Sequence, residues 1–148
     1  MTHRPPWMYV ATAQALDAEM AARIAGHRSR RDQRWHTLEA PRDLAHAIDG
    51  APPDAPLLID CLTLWLSNEL LAEADLGAAM ADLEAALGRR RASVIAVANE
   101  VGLGIVPDTV LGRRFRDVAG VLNQRLAIRA DCVVLLVAGI PMTLKGAP

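Results

Sequence analysis

Cysteine is scarce: Cys61 and Cys132 are the two in 148 residues, each in or at the end of an apolar run. That excludes a disulfide-built scaffold and predicts reduced core thiols in a cytoplasmic protein. Net charge is nearly absent too, at −1, which removes the long-range field that would favour nucleic acid or an anionic membrane. No apolar run approaches the length of a membrane span, and Met1 to Pro6 holds no apolar stretch of signal-peptide length. No low-complexity linker divides the chain, so one domain over residues 1–148 is expected. Metal-ligand spacing is missing as well: His36 and His46 have no paired ligand, and no Cys/His cluster points to zinc.

What is present is an alternation of apolar runs with helical periodicity. Trp7 to Thr12 follows Pro5-Pro6 and suits a strand. From Asp17 to about Arg31 the pattern turns helical, placing Met20, Ile24 and His27 on one face, with Asp17 as N-cap. Leu57 to Cys61 reads as a buried strand, residues 78–91 as a helix, and Ser93 to Ala98 as a third strand. A glycine-rich loop, Asn99 to Gly104, precedes a long helix from about Asp108 to Arg129 with Val118, Leu122 and Leu126 on its inner stripe. Cys132 to Ala138 is the fourth strand. Such a pattern predicts an α/β fold with a mostly parallel sheet covered on both faces. Ligands of these sheets bind beyond the carboxyl ends of the strands, so Thr12, Asp60, Asn99 and Glu100 are the polar residues to weigh.

Two residues carry potential chemistry. Asp60 closes a buried strand, as an acid does that holds the Mg²⁺ bridging nucleotide phosphates. The competing reading is a strand-end aspartate that caps the next helix. His27 is followed at once by Arg28, Arg30 and Arg31. A neutral imidazole can attack phosphorus while guanidinium groups hold the phosphoryl oxygens. Its competing reading is a partly buried histidine before a basic helix end that suits the macrodipole.

The ordered motifs narrow the choice. Tyr9-Val10-Ala11-Thr12-Ala13-Gln14, the run Asp17 to Ile24 with His27, Trp35-His36-Thr37-Leu38-Glu39, Leu58-Ile59-Asp60-Cys61-Leu62-Thr63-Leu64-Trp65-Leu66-Ser67-Asn68, Asn99 to Pro107 and Arg116 to Arg125 together resemble one family. It is that of the bifunctional adenosylcobinamide kinase/adenosylcobinamide-phosphate guanylyltransferases, and the likeness runs from about Trp7 to Lys145. The resemblance implies a three-layer P-loop (RecA-like) domain and two reactions in cobalamin assembly. A nucleotide γ-phosphate passes to adenosylcobinamide; GTP then guanylylates a histidine, and GMP moves onto the new phosphate to give adenosylcobinamide-GDP. It places the guanylylated histidine at His27 and nucleotide contacts at Ala11, Thr12, Ala13, Arg28, Ser29, Arg30, Arg31, Glu39 and Asp60, the last also toward Mg²⁺. It also implies GTP and ATP as substrates and a homo-oligomer, a trimer. Arg28-Ser29-Arg30-Arg31 departs from the family's more usual basic-acidic-glycine pattern.

The family opens with a strand, a glycine-rich phosphate loop ending in Gly-Lys-Ser/Thr, and a helix. Here the one lysine is Lys145, preceded by Leu144, and no Gly-Lys pair exists. The expectation is an N-terminally truncated domain lacking about 30 residues, the scale of one βα unit, before Trp7. The alternative is an inactive remnant that keeps the fold or a partner surface without binding nucleotide.

Overall fold

The computed structural model describes residues 4–147, which cluster into two compact units, one up to Asn99 and one from Glu100 onward. The first is built on a four-stranded parallel sheet in the order β2-β1-β3-β4: β1 is Trp7–Ala11, β2 Trp35–Glu39, β3 Leu57–Asp60 and β4 Val94–Val97. Helices connect them: α1 (Ala18–Ser29), α2 (Leu44–Gly50), α3 (Leu62–Leu71) and α4 (Leu76–Gly88). This is the α/β, mostly parallel arrangement expected. Three elements of this unit were not foreseen. Trp35–Glu39 is a short strand of mixed polarity, α2 has only seven residues, and α3 is apolar on nearly every side, so none shows a clean period. The helix expected at 78–91 starts two residues earlier and ends at Gly88, capped by Asp75, whose side chain accepts the Ala78 N–H at 3.1 Å.

One sheet face carries the core. Strand pleating puts Met8 and Val10 on the same side, in register with Leu57 and Ile59, and all four are buried. With them are buried Leu44 and Ile48 of α2, Trp65 and Leu66 of α3, and Met80 and Leu83 of α4. The other face bears Trp7, Tyr9, Leu58, Ile95 and Val97. There burial fades toward β4, where Ile95 is 64% and Val97 40% exposed. Helix α1 buries no residue. Met20 and Ile24 are half-buried, but His27 is exposed, so the apolar stripe expected to carry it stops one turn short.

The second unit holds a 3₁₀ turn at Val101–Leu103, helix α5 (Val110–Arg129) and strands β5 (Val133–Val137) and β6 (Ile140–Lys145). Ala119 and Leu122 are the buried residues of α5. The expected fourth strand forms, and it pairs antiparallel with β6 as a hairpin where parallel pairing was expected. The cause is local: Ala138 and Gly139 both take positive φ (52° and 76°), a two-residue turn whose twist matches the flanking strands. The single lysine serves this unit, Lys145 Nζ donating to the carbonyls of Ala127 (3.0 Å) and Ile128 (2.8 Å) at the end of α5. Both cysteines are free, Cys61 buried and Cys132 half-buried. No helix among the described residues is long and apolar enough to cross a membrane.

Candidate active site

Parallel pairing brings three of the sequence-selected residues into one row. Ala11 ends β1 and stands in register with Glu39 at the end of β2 and with Asp60 at the end of β3. Residues in register across a parallel sheet point to the same side. Both carboxylates therefore lie on the Tyr9 face, at the carboxyl edge where such sheets bind ligands.

Beneath this row the backbone is tied down by buried hydrogen bonds. Thr12 is fully buried; its hydroxyl donates to the Cys61 carbonyl at 2.7 Å and accepts the Cys61 N–H at 2.8 Å. The Thr12 N–H goes to the Asp60 carbonyl, and its own carbonyl accepts from Asn68 Nδ2 at 2.9 Å. All the polar groups of Thr12 are thus engaged inside the protein. Asn68 also donates to the Pro41 carbonyl at 2.8 Å, so one α3 side chain fastens the segments that follow β1 and β2. Nearby, Arg42 approaches the buried Glu69 at 3.6 Å.

Above the row stands the end of α1. Arg28 Nη2 donates to Glu39 Oε1 at 3.0 Å, with both side chains well exposed. A solvated pair of this kind contributes well under ~1 kcal/mol to stability, so it is readily exchanged for a ligand. The Arg31 guanidinium lies 3.7 Å from the centre of the Tyr9 ring, and its Nε is buried without an acceptor. The Tyr9 hydroxyl donates to Asp60 Oδ2. Burial first, then the hydrogen bond to Asp60 and its negative charge, push the Tyr9 hydroxyl up to about 12, so it remains a donor at neutral pH.

The remaining predicted residues make other contacts. The His27 side chain is exposed. The Ser29 hydroxyl donates to the Gly26 carbonyl within the helix, and Arg30 is the helix C-cap. Ala13 is half-buried just beyond β1. Asn99 donates its N–H to Thr63 Oγ1 at 2.7 Å, and Glu100 caps the 3₁₀ turn through the Gly102 N–H. Sequence reasoning passed over Tyr9 and Asn68 as site residues. Tyr9 had one visible signal, being polar in an apolar strand two residues before Ala11 and hence on its face. Asn68 had none, because its partners lie 56 and 27 residues away.

Among the described residues no group of three acids, histidines or cysteines could cage a metal ion. Asp60 Oδ2 is held by Tyr9, whereas the second carboxylate oxygen has no partner among the described residues. Magnesium typically takes one or two carboxylates and completes its shell with water and nucleotide phosphates. A lone strand-end carboxylate suits that ion.

Comparison with known proteins identifies the family. Residues 1–144 match the family described as cobinamide kinase / cobinamide phosphate guanyltransferase. The chain is 48% identical over 143 residues to the bifunctional adenosylcobalamin biosynthesis protein CobP of Pseudomonas aeruginosa, covering 95% of this chain and 83% of that protein. It is 44% identical over 158 residues to the bifunctional adenosylcobalamin biosynthesis protein CobU of Salmonella typhimurium, covering 95% and 87%. The CobU of Escherichia coli is 40% identical over 154 residues, covering 93% and 85%. The chain therefore belongs to the cobinamide kinase / cobinamide phosphate guanyltransferase family, transferases of cobalamin biosynthesis.

Proposed function

We propose that this protein transfers GMP from GTP to adenosylcobinamide phosphate through a guanylylated His27, and that the same sheet edge serves the preceding phosphorylation of adenosylcobinamide. The observation that carries this reading is the convergence of the His27 helix on the acidic row: Arg28 reaches Glu39, and Arg31 sits on the ring that holds Asp60. An imidazole nitrogen of His27 attacks the α-phosphorus of GTP. A P–N bond forms, and pyrophosphate leaves with the electron pair of the broken P–O bond. A phosphate oxygen of adenosylcobinamide phosphate then attacks the same phosphorus, and the imidazole departs.

The chain's own groups divide the work. Arg28, Arg31 and the neighbouring Ser29 and Arg30 line the nucleotide phosphates, where guanidinium groups hold developing charge. Glu39 accepts from nucleotide hydroxyls once Arg28 turns to phosphate. Ala11 and Ala13 present backbone to the nucleotide, and Thr12 holds that backbone from beneath. Asp60 would hold Mg²⁺, partly through water, and the ion when bound neutralises charge on the phosphates. The family resemblance adds ATP as a phosphoryl donor and a homotrimeric assembly to this reading, and the two cysteines in apolar runs add a cytoplasmic setting.

Incubation with Mg²⁺ and GTP radiolabelled at the α-phosphate should give an acid-labile, base-stable protein label. His27→Ala should lose it, while His36→Ala and His46→Ala keep it. Label that persists in His27→Ala, or peptide mapping to another residue, would overturn the assignment. Phosphoryl transfer depends chiefly on cradling the phosphates, and residues 1–148 contain no Gly-Lys pair to do so. Kinase turnover by these residues alone should be negligible, and restored by an N-terminal phosphate loop supplied in cis. The second reading, a remnant without nucleotide binding, rests on that same missing pair; detection of the His27 label would dismiss it.

A further inference from the structure

We propose that Tyr9 is a positioning residue that joins the two halves of this site, its hydroxyl orienting the Asp60 carboxylate and its ring seating the Arg31 guanidinium. The inference deepens the function proposed above and rests on it. Three observations meet at this side chain. Tyr9 is buried at the level of the sheet, 7% exposed, so its ring is fixed by β1 and packs edge-on against Trp35 at 6.2 Å. Its hydroxyl spans to β3 and occupies one oxygen of Asp60, leaving the other free for a cation. Its face carries Arg31 at 3.7 Å, with the Arg31 Nε buried and lacking an acceptor.

A carboxylate held through one oxygen keeps a single rotamer, which is how an outer partner sets the direction of a metal ligand. A guanidinium stacked on a ring keeps its plane and its charge while its N–H groups stay available to an anion. One aromatic side chain thus presents an oriented acid for a divalent cation and an oriented base for the phosphates that cation bridges. Packing alone would be satisfied by phenylalanine; the polar atom at the ring tip is what the acid requires.

The two contacts separate by substitution. Tyr9→Phe keeps the ring and removes the hydroxyl, and Tyr9→Leu removes both. Binding of a fluorescent N-methylanthraniloyl GTP is followed while Mg²⁺ is titrated. Tyr9→Phe should raise the half-saturating Mg²⁺ concentration about 10-fold and leave nucleotide affinity at saturating Mg²⁺ unchanged. Tyr9→Leu should weaken both. If Tyr9→Leu does not fold, Arg31→Gln supplies that arm by weakening affinity without moving the Mg²⁺ requirement. A Tyr9→Phe variant with the wild-type Mg²⁺ requirement, or two Tyr9 variants that behave alike, would overturn the proposal. A wild-type chain that neither binds the nucleotide nor takes the His27 label would instead overturn the functional reading. Tyr9 is then judged by NMR: the Arg31 Nε–H signal should show a ring-current displacement in wild type and Tyr9→Phe and none in Tyr9→Leu. An undisplaced wild-type signal would sink the inference by itself.

Discussion

Tyr9 is the one tyrosine in the chain, so its ionisation can be followed alone by the ultraviolet absorbance of tyrosinate. The midpoint should lie near 12, raised first by burial and then by Asp60. Asp60→Asn should bring it down but not to the value of free tyrosine, since burial remains. The folded protein favours the neutral phenol. The stability this contributes is therefore fully present below about pH 10 and lost as pH rises toward 12. Alkaline unfolding of Tyr9→Phe should accordingly be less steep across that window. A wild-type midpoint near 10 would show that the phenol is neither buried nor bonded to Asp60 as described. At this same scale the exposed Arg28–Glu39 pair matters through what it releases to a ligand, since its net stabilisation is small.

Helices α1 and α4 make an instructive pair, because both are capped by aspartate and only one is built into the core. Asp17 accepts the Met20 N–H at 2.7 Å and Asp75 accepts the Ala78 N–H at 3.1 Å. Helix α4 buries Leu76, Met80, Leu83, Glu84 and Ala86, whereas α1 buries nothing. Removal of an N-cap typically costs about 0.5–2 kcal/mol of helix stability, but the loss reaches global unfolding only where the helix is part of the cooperative core. Asp75→Ala should lower the urea midpoint by an amount in that range, while Asp17→Ala should leave it nearly unchanged and speed amide exchange within α1. Equal shifts in urea would mean that α1 folds as one unit with the sheet. The proposed function agrees with this division. The helix carrying His27 is joined to the sheet through arginine contacts at its end, and the well-buried helices α2 to α4 support the opposite face.

For the molecule as a whole, exposed apolar surface is a liability, and the edge of the parallel sheet carries part of it. Ile95 and Val97 are exposed on the edge strand β4, and an apolar edge invites pairing with another chain. Ile95→Lys should reduce self-association in light scattering and leave the urea midpoint within about 0.5 kcal/mol, as at other exposed positions. Unchanged association would place the sticky surface elsewhere. How far the amino-acid order reached is clearest by element. Long periodic segments such as α5, and apolar runs such as β1 and β3, declare themselves locally because burial imposes a period that needs no partner. The ordered motifs from Tyr9 to Arg125 likewise carry the resemblance to one transferase family. Short or uniformly apolar pieces, β2, α2 and α3, carried no such period. What only the tertiary structure decided is which distant residues become neighbours. The order β2-β1-β3 sets Glu39, Ala11 and Asp60 in one row, Asn68 closes on Thr12, and Tyr9 lies between Asp60 and Arg31. These outcomes depend on pairing between segments far apart in the chain. Local periodicity reports which face of an element is buried, and has no term for what that element will meet.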